Sequence, residues 1–522
     1  MSMEIIRETA KISYVVGGDS IQTIVEHDII VPDINPDVAR VLLLDGEVLP
    51  GSSDVSKDRV NVDAAIRYKI LYVSDEETQS VKSINTTGNF SFNTDIPGSG
   101  SGMRAKTRYE IEHMDYNILN GRKIGIKTIL KASVQVLDQT EQDFIIDFRD
   151  EEGIQVLKDN MGIHCYLGED KVHYTAEEEL EIPAGKPSIK EILRTDVKIM
   201  GKDYRTDDNK IIAKGDINIL TLYTGDNEEG SIQFMEHEIP FTQFIDLPGV
   251  GSRSECDVEY KIKDYSFNPQ EDSDGELRLL RGEITVELDV WGTDRKDIEI
   301  ITDAYALKSN IDYDRHLLKT DRVSGREHAQ ISLKEIVDLE GKNPAISEVF
   351  NVLYKPNLFE YTCRDGYIEI QGAVECNILY LANNSEQPVF SYGRELPFAQ
   401  KIELEGITSD RKCEIDMEIE HSNYSMLSES EVEVRVIVAM HIKAIDQVNV
   451  SYIANVRKTP LEDEDMGKYP SITIYFTQPD DSLWNIAKKY RTTVEDLCNI
   501  NELSPWDSIS VGRQIIIPKK TG

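Results

Sequence analysis

The chain has 522 residues, with 57 Lys and Arg against 95 Asp and Glu, a formal net charge of −38. That length exceeds one compact domain and predicts roughly three to five. The acidity argues against a general binder of nucleic acid or anionic membrane, since phosphate affinity needs clustered Lys and Arg. A hydrophobic fraction of 40% with 23 Tyr lies above that of a disordered chain and suits a folded, strand-rich protein. No apolar core with a small-residue cleavage site follows Met1, and no apolar run nears the ~18 residues of a membrane helix. Neither a signal peptide nor a membrane span is therefore expected. Six cysteines (Cys165, Cys256, Cys363, Cys376, Cys413, Cys498) occur without any C-x-x-C pair. Their low density predicts reduced buried thiols in a cytoplasmic protein.

Taken in chain order, the elements repeat. Val60, Val62, Ala64, Ile66, Tyr68, Ile70 and Tyr72 alternate with other residues at period two. So do Ile211, Ala213, Gly215, Ile217, Ile219, Thr221 and Tyr223, and then Ile368, Ile370, Gly372, Val374, Cys376, Ile378 and Tyr380. Leu71, Leu222 and Leu379 precede the final tyrosine, and the offsets between copies are 151 and 157 residues. The same offsets align Glu238 to Gly249 with Glu395 to Gly406, of which the first copy keeps Asp95 to Gly98. Cys256 aligns with Cys413, and Ile111, Ile262 and Ile419 fall in register. Each copy closes on a β-branched strand, at 126–136, 283–290 and 432–442. Each opens on a helix or turn headed by Pro32, Pro187 or Pro344. Three divergent copies of one module of about 150 residues follow from this pattern. Period-two alternation predicts sheets with one buried and one wet face, in a sandwich or half-open barrel of about six to eight strands. At that size each module has its own core.

The expected boundaries are an N-terminal segment 1–24, β modules at 25–165, 166–335 and 336–455, a charged Pro-bounded linker at 456–470, and a small domain at 471–518. In the last, Ile472 to Phe476 reads as a strand and Pro479 to Asp481 as a turn. A helix carries Leu483, Trp484, Ile486, Ala487 and Tyr490, and a capping box of Thr492 and Glu495 starts a second helix with Val494, Leu497 and Ile500. Gly512 to Pro518 is the closing strand. This βααβ order, with Tyr475, Asp481 to Trp484, Thr492 to Leu497, Asn501, Leu503 and Val511 to Ile515 at matching spacing, closely resembles a LysM domain. The resemblance implies a shallow groove for N-acetylglucosamine glycans at Asp480, Asp481, Ser482, Pro505, Trp506, Asp507, Ser508 and Ile509. Asp480 stands where the family usually has Gly, and an acidic side chain there would crowd the groove.

Three acidic β modules followed by one LysM domain resemble the SipL-type spore-coat morphogenetic family of clostridia, whose modules are called SPOCS domains. That resemblance implies a mother-cell protein at the forespore surface and spore coat. There it would bind the coat-basement ATPase SpoIVA through the LysM domain, with other coat proteins as further partners. Peptidoglycan or its lipid-linked precursor is the rival ligand. Partly exposed Trp484, with Ile472 on the first strand, is the expected apolar contact for a protein partner; burial of Trp484 against Ile474 and Ile516 is the alternative.

No catalytic or metal constellation emerges. The nine histidines form no H-E-x-x-H or Cys/His ligand pair. His113 and His421 share a register that is Asp264 in the second copy, which suits a surface position. Gly98 to Gly102 lacks the Lys-Ser/Thr tail of a phosphate loop and reads as a flexible hairpin tip. A wall hydrolase is thus disfavoured, and a non-enzymatic scaffold without cofactor is expected. Within 471–518, six acids stand against four bases, a net −2, so the acidity belongs to the modules and the LysM is the near-neutral part.

Overall fold

A computed structural model describes residues 4–77, 80–149, 153–227, 231–339, 344–382, 389–409, 411–460, 472–504 and 509–518, without the side chains of 321–323, 447, 448 and 472. Each module has six strands in the order long, four short, long. The first has β1 (Glu4–Ile30), β2 (Val38–Ser56), β3 (Arg59–Ser74), β4 (Val81–Asp95), β5 (Arg104–Asn120) and β6 (Lys123–Arg149). The second has β7 (Ile154–Glu181), β8 (Ile189–Asp207), β9 (Lys210–Gly225), β10 (Ile232–Asp246), β11 (Glu255–Glu271) and β12 (Leu277–Ala306). The third has β13 (Ser309–Asp338), β14 (Ile346–Arg364), β15 (Tyr367–Ala382), β16 (Val389–Glu403), β17 (Lys412–Met426) and β18 (Glu431–Pro460).

The middle strands form antiparallel sheets β2-β3-β4, β8-β9-β10 and β14-β15-β16. Each packs face to face on its own module's long ribbon with the added strand β5, β11 or β17, a sandwich with an apolar core. The long ribbons (β1/β6, β7/β12, β13/β18) overshoot these sandwiches. Their far halves meet in a second core through Ala10, Ile12, Phe144, Ile163, Ile298, Leu318 and Tyr452.

Repeat position explains the local structure. The tight turn after β2, β8 and β14 places Asp58, Asn209 and Gly366 at φ 56, 56 and 85, residue types that accept a left-handed backbone. Gly98, Gly249 and Gly406 hold φ 88, 90 and 81 at the end of the following hairpin. Gly98 N donates to Asp58 Oδ1 and Gly249 N to Asn209 Oδ1, both at 2.8 Å. Residues 98–102 therefore link the two sheets of the sandwich, with Ser99 buried, and are not a flexible tip. The repeated tyrosines are fully buried, and Tyr72, Tyr223 and Tyr380 donate to the carbonyls of Pro36, Pro187 and Pro344 at 3.0, 3.0 and 3.4 Å. The first module's head is thus Pro36 rather than Pro32. Pro32 opens a turn, one of the two expected forms, with Asn35 N donating to Pro32 O at 2.9 Å, whereas the segments after Pro36, Pro187 and Pro344 enter strands β2, β8 and β14.

Two other expectations change. Boundaries expected at 165/166 and 335/336 lie inside β7 and β13. Residues 4–24 belong to β1, and residues 456–460 of the expected linker belong to β18, where Pro460 pairs with Ser309. The rest of that linker, 461–470, lies outside the described residues. The sheets are also not simply wet on one face. Leu71, Leu222 and Leu379 point away from their tyrosines and meet one another, with Val81, Ile232 and Val389 and with Leu193 and Phe350. Side chains from equivalent positions converge there, so the modules surround a pseudo-threefold axis.

Ion pairs join the modules around that axis. Arg194 is 3% exposed; its Nε donates to Asp196 at 2.7 Å and its Nη2 reaches Asp45 at 2.5 Å, while Lys69 stands 2.9 Å from Asp196. Lys106 pairs with Glu259 at 3.0 Å, and Arg108, two residues on, with Asp416 at 2.6 Å; Lys202 pairs with Glu418 at 2.6 Å. Burial would raise the Glu259 carboxyl, yet Lys106 and Lys261 hold it at about 2. Glu418 is held at about 2 by His441, 3.6 Å away, together with Lys202, and the carboxylate raises His441 in turn. Depressed carboxyls stabilise fully above their unfolded value, about 4.3, and lose that contribution as pH falls toward 2. The raised His441 contributes fully below about pH 6.5 and loses its share as pH rises through its folded value. The contribution of these pairs is therefore expected to be greatest between about pH 4.5 and 6.5. Thermal melts across pH 3–9 check this: a Glu418→Gln chain should show a flatter acid limb than the parent, and identical profiles contradict it.

Candidate functional site

The C-terminal domain comprises β19 (Ile472–Phe476), α1 (Leu483–Tyr490), α2 (Val494–Asn501) and β20 (Gln514–Pro518). Ser482 caps α1, its hydroxyl accepting from Asn485 N at 3.1 Å. Helix α2 starts one residue later than the expected capping box, because Thr493, not Thr492, accepts from Asp496 N at 3.0 Å. The Asn501 side chain ties α2 to β20, donating to Ile516 O and accepting from Ile516 N, both at 2.7 Å.

Asp480 is exposed and holds φ 67, so a glycine there would be free of strain and an aspartate tolerates it. Asp481 instead serves the fold: its carboxylate accepts from Tyr475 Oη at 2.8 Å and from Gln478 N at 2.7 Å. Ile509 is half-buried against the domain core. Pro505, Trp506, Asp507 and Ser508, the expected far wall of a glycan groove, lie outside the described residues. Ile472 pairs with Pro518 in the sheet, and its side chain also lies outside them.

Trp484 is placed where no local pattern would put it. Its ring meets Tyr305 edge-on at 4.9 Å between centroids, and its Nε1 donates to Asp303 Oδ2 at 2.8 Å. Both residues end β12, 181 positions earlier for Asp303. Ile474 and Ile516, the neighbours expected to bury it, are 54% and 37% exposed. Lys488 Nζ donates to Asp303 Oδ1 at 2.6 Å and to Tyr313 Oη at 3.1 Å. Arg491, left-handed at the end of α1, donates to the Ser309 carbonyl at 2.9 Å and reaches Asn310 Oδ1. Tyr305 Oη donates to Thr492 O at 2.6 Å, and its ring completes the small domain's core beside Ile486, Leu497 and Ile515.

Asp303 is 8% exposed. Burial would raise its carboxyl, but hydrogen bonds from Lys488, Trp484 and Tyr313 together hold it below the usual carboxylate range. The α1 face is thus a protein-contact surface: an indole, an ammonium and a guanidinium around one carboxylate and a bare turn. Sequence reasoning named Trp484 but not Asp303, Tyr305, Tyr313, Lys488 or Arg491. One signal was present: the stretch Ile300, Ile301, Asp303, Ala304, Tyr305, Ala306 breaks alternation at a strand end, and an acid within such an apolar stretch is a buried acid needing partners.

Other expected positions prove ordinary. His113 and His421 are exposed on β5 and β17, where they help line a cavity of about 2130 Å³ around the pseudo-threefold axis. All six cysteines are buried, and Cys363 Sγ lies 3.6 Å from Cys413 Sγ inside the third module. Among the described residues no helix is long and apolar enough to cross a membrane.

Comparison with protein families agrees with this geometry. The SipL SPOCS-domain model matches residues 37–119, 188–270 and 345–427, the four short strands of each module with their connections. The LysM-domain model matches residues 475–518. No curated protein and no solved structure matches the chain.

Proposed function

We propose that this chain, a SipL-type protein of three SPOCS domains and a C-terminal LysM domain, is a non-enzymatic scaffold of spore-coat assembly in the mother cell. In this reading the LysM domain captures the coat-basement ATPase SpoIVA at the forespore surface, and the SPOCS body contacts further coat proteins. Sporulation follows from the family; the partner and the place are our proposal. The observation that carries it is the occupied α1 face, where the LysM domain packs on protein: Trp484, Lys488 and Arg491 all engage the adjoining ends of β12 and β13 and the connection between them. A small domain of net −2 on a strongly acidic body also suits close apolar docking, and Ile474, Phe476 and Ile516 offer exposed apolar surface on its outer sheet.

Binding of peptidoglycan is the rival reading, supported by the LysM match itself. Parallel pull-downs separate the two. The full chain is expected to be retained by purified SpoIVA and to pass through insoluble peptidoglycan; retention by glycan alone overturns the proposal. A folded Trp484→Glu chain is expected to lose at least about tenfold in SpoIVA retention, the loss typical of a buried aromatic anchor. Unchanged retention would remove Trp484 from the interface. Localisation of a chain lacking residues 471–522 during sporulation tests the targeting role, and a chain that still surrounds the forespore would assign targeting to the SPOCS body.

A further inference from the structure

The turn that joins the second and third modules is held by the LysM domain much as a ligand is held. It offers a carboxylate (Asp303), two tyrosines (Tyr305, Tyr313) and the Ala306 and Ser309 carbonyls to Trp484, Lys488 and Arg491. Among the described residues β19 and β20 pair only with each other, so separating the LysM from the body would break no sheet. Pro460, the end of β18, pairs with Ser309 in that turn. The eleven residues between Pro460 and Ile472 span up to roughly 36–40 Å when extended. A LysM released from the turn would remain covalently joined to the strand that pairs with it, so the turn competes intramolecularly with any partner.

We infer that the α1 face of the LysM domain is a recognition surface for protein turns carrying an acid and aromatic rings, and that residues 303–313 are its resident occupant, displaced when a partner presents the same chemistry. The inference rests on the protein-binding reading of the LysM above and adds the class of epitope and the competition that regulates it. Recognition has two parts. Arg491 reads main-chain carbonyls, which any turn supplies. Lys488 and Trp484 read one carboxylate and a ring stacked edge-on, which few turns supply. An occupied face lowers apparent affinity for a partner by the fraction of time the turn is released.

The test uses the full chain, two turn variants of different chemistry (Asp303→Ala and Tyr305→Ser), and a fluorescent synthetic peptide copying residues 300–314. Both variants are expected to bind the peptide at least about tenfold more tightly than the parent, and Trp484→Ala in either background should abolish the gain. Acetylation of Lys488, read by mass spectrometry with Lys489 as internal reference, is expected to accelerate in both. Acceleration in Asp303→Ala alone would reflect only the lost charge and overturn the inference, as would equal peptide binding by parent and variants. SpoIVA is measured in parallel. Capture improved by both variants supports displacement, while capture that is strong but unchanged places the partner on another face and overturns it. Absence of SpoIVA capture by every chain refutes the proposed partner, and the peptide arm then still decides whether α1 recognises such turns.

Discussion

An Arg194→Met chain is expected to lose about 3 kcal/mol of stability, toward the lower end for breaking a buried ion network. Arg194 lies between Asp196 of its own module and Asp45 of the first. Methionine of similar volume fills the space but leaves Asp196 buried with Lys69 as its remaining cation. Burial raises the Asp196 carboxyl, but Arg194, more than Lys69, holds it far below the usual range; much of that depression should vanish. Because a depressed carboxyl stabilises only above its unfolded value, the variant is also expected to be less acid-sensitive than the parent. Urea unfolding at pH 7 and pH 4 checks both statements. The double variant Arg194→Met with Asp196→Leu should recover part of the loss, since a buried pair replaced by apolar residues is often neutral. A double variant no better than the single one would show that packing, not charge, sets the cost.

Truncating a repeated tyrosine should cost as much or more. Tyr223→Ala removes a fully buried ring from the second sandwich and is expected to cost about 3–5 kcal/mol. Tyr223→Phe loses only the bond to the Pro187 carbonyl and should cost about 1 kcal/mol. The same pair at Tyr380 should show a smaller Phe effect, because its bond to Pro344 is longer at 3.4 Å. Equilibrium urea curves on the four variants decide this. A Phe variant as damaging as the Ala variant would mean that the tyrosine acts through its hydroxyl and not through the filled core.

The tyrosines were legible because a repeat exposes them: residues that must fill one pocket and close one turn recur at offsets of 151 and 157. The small domain was legible because its caps, turn and core positions are all local. Its capping box slipped by one residue, since adjacent Thr492 and Thr493 offer the same hydroxyl and only backbone geometry selects one. Module boundaries were misplaced because β7 and β13 are each one continuous strand that serves two cores, and the bulges that shift their register, near Leu167 in β7 and after Asp314 and Val323 in β13, do not read as chain breaks in the sequence. Pro32 and Pro36 are both followed by Asp and an aliphatic residue, so the local pattern does not tell the two heads apart.

What the sequence by itself determined is each module's inner face, the number of modules and the LysM fold, all of which depend on contacts repeated or close along the chain. The tertiary structure decided what covers the outer faces. Leu71, Leu222 and Leu379 look like the wet side of an alternating strand until three modules close around an axis. Trp484 looks like an exposed anchor until Asp303, 181 residues away, is brought within 2.8 Å of its indole nitrogen. Alternation records that a side chain faces one way or the other; the partner waiting on that side is set by chain closure over distances that no local period encodes.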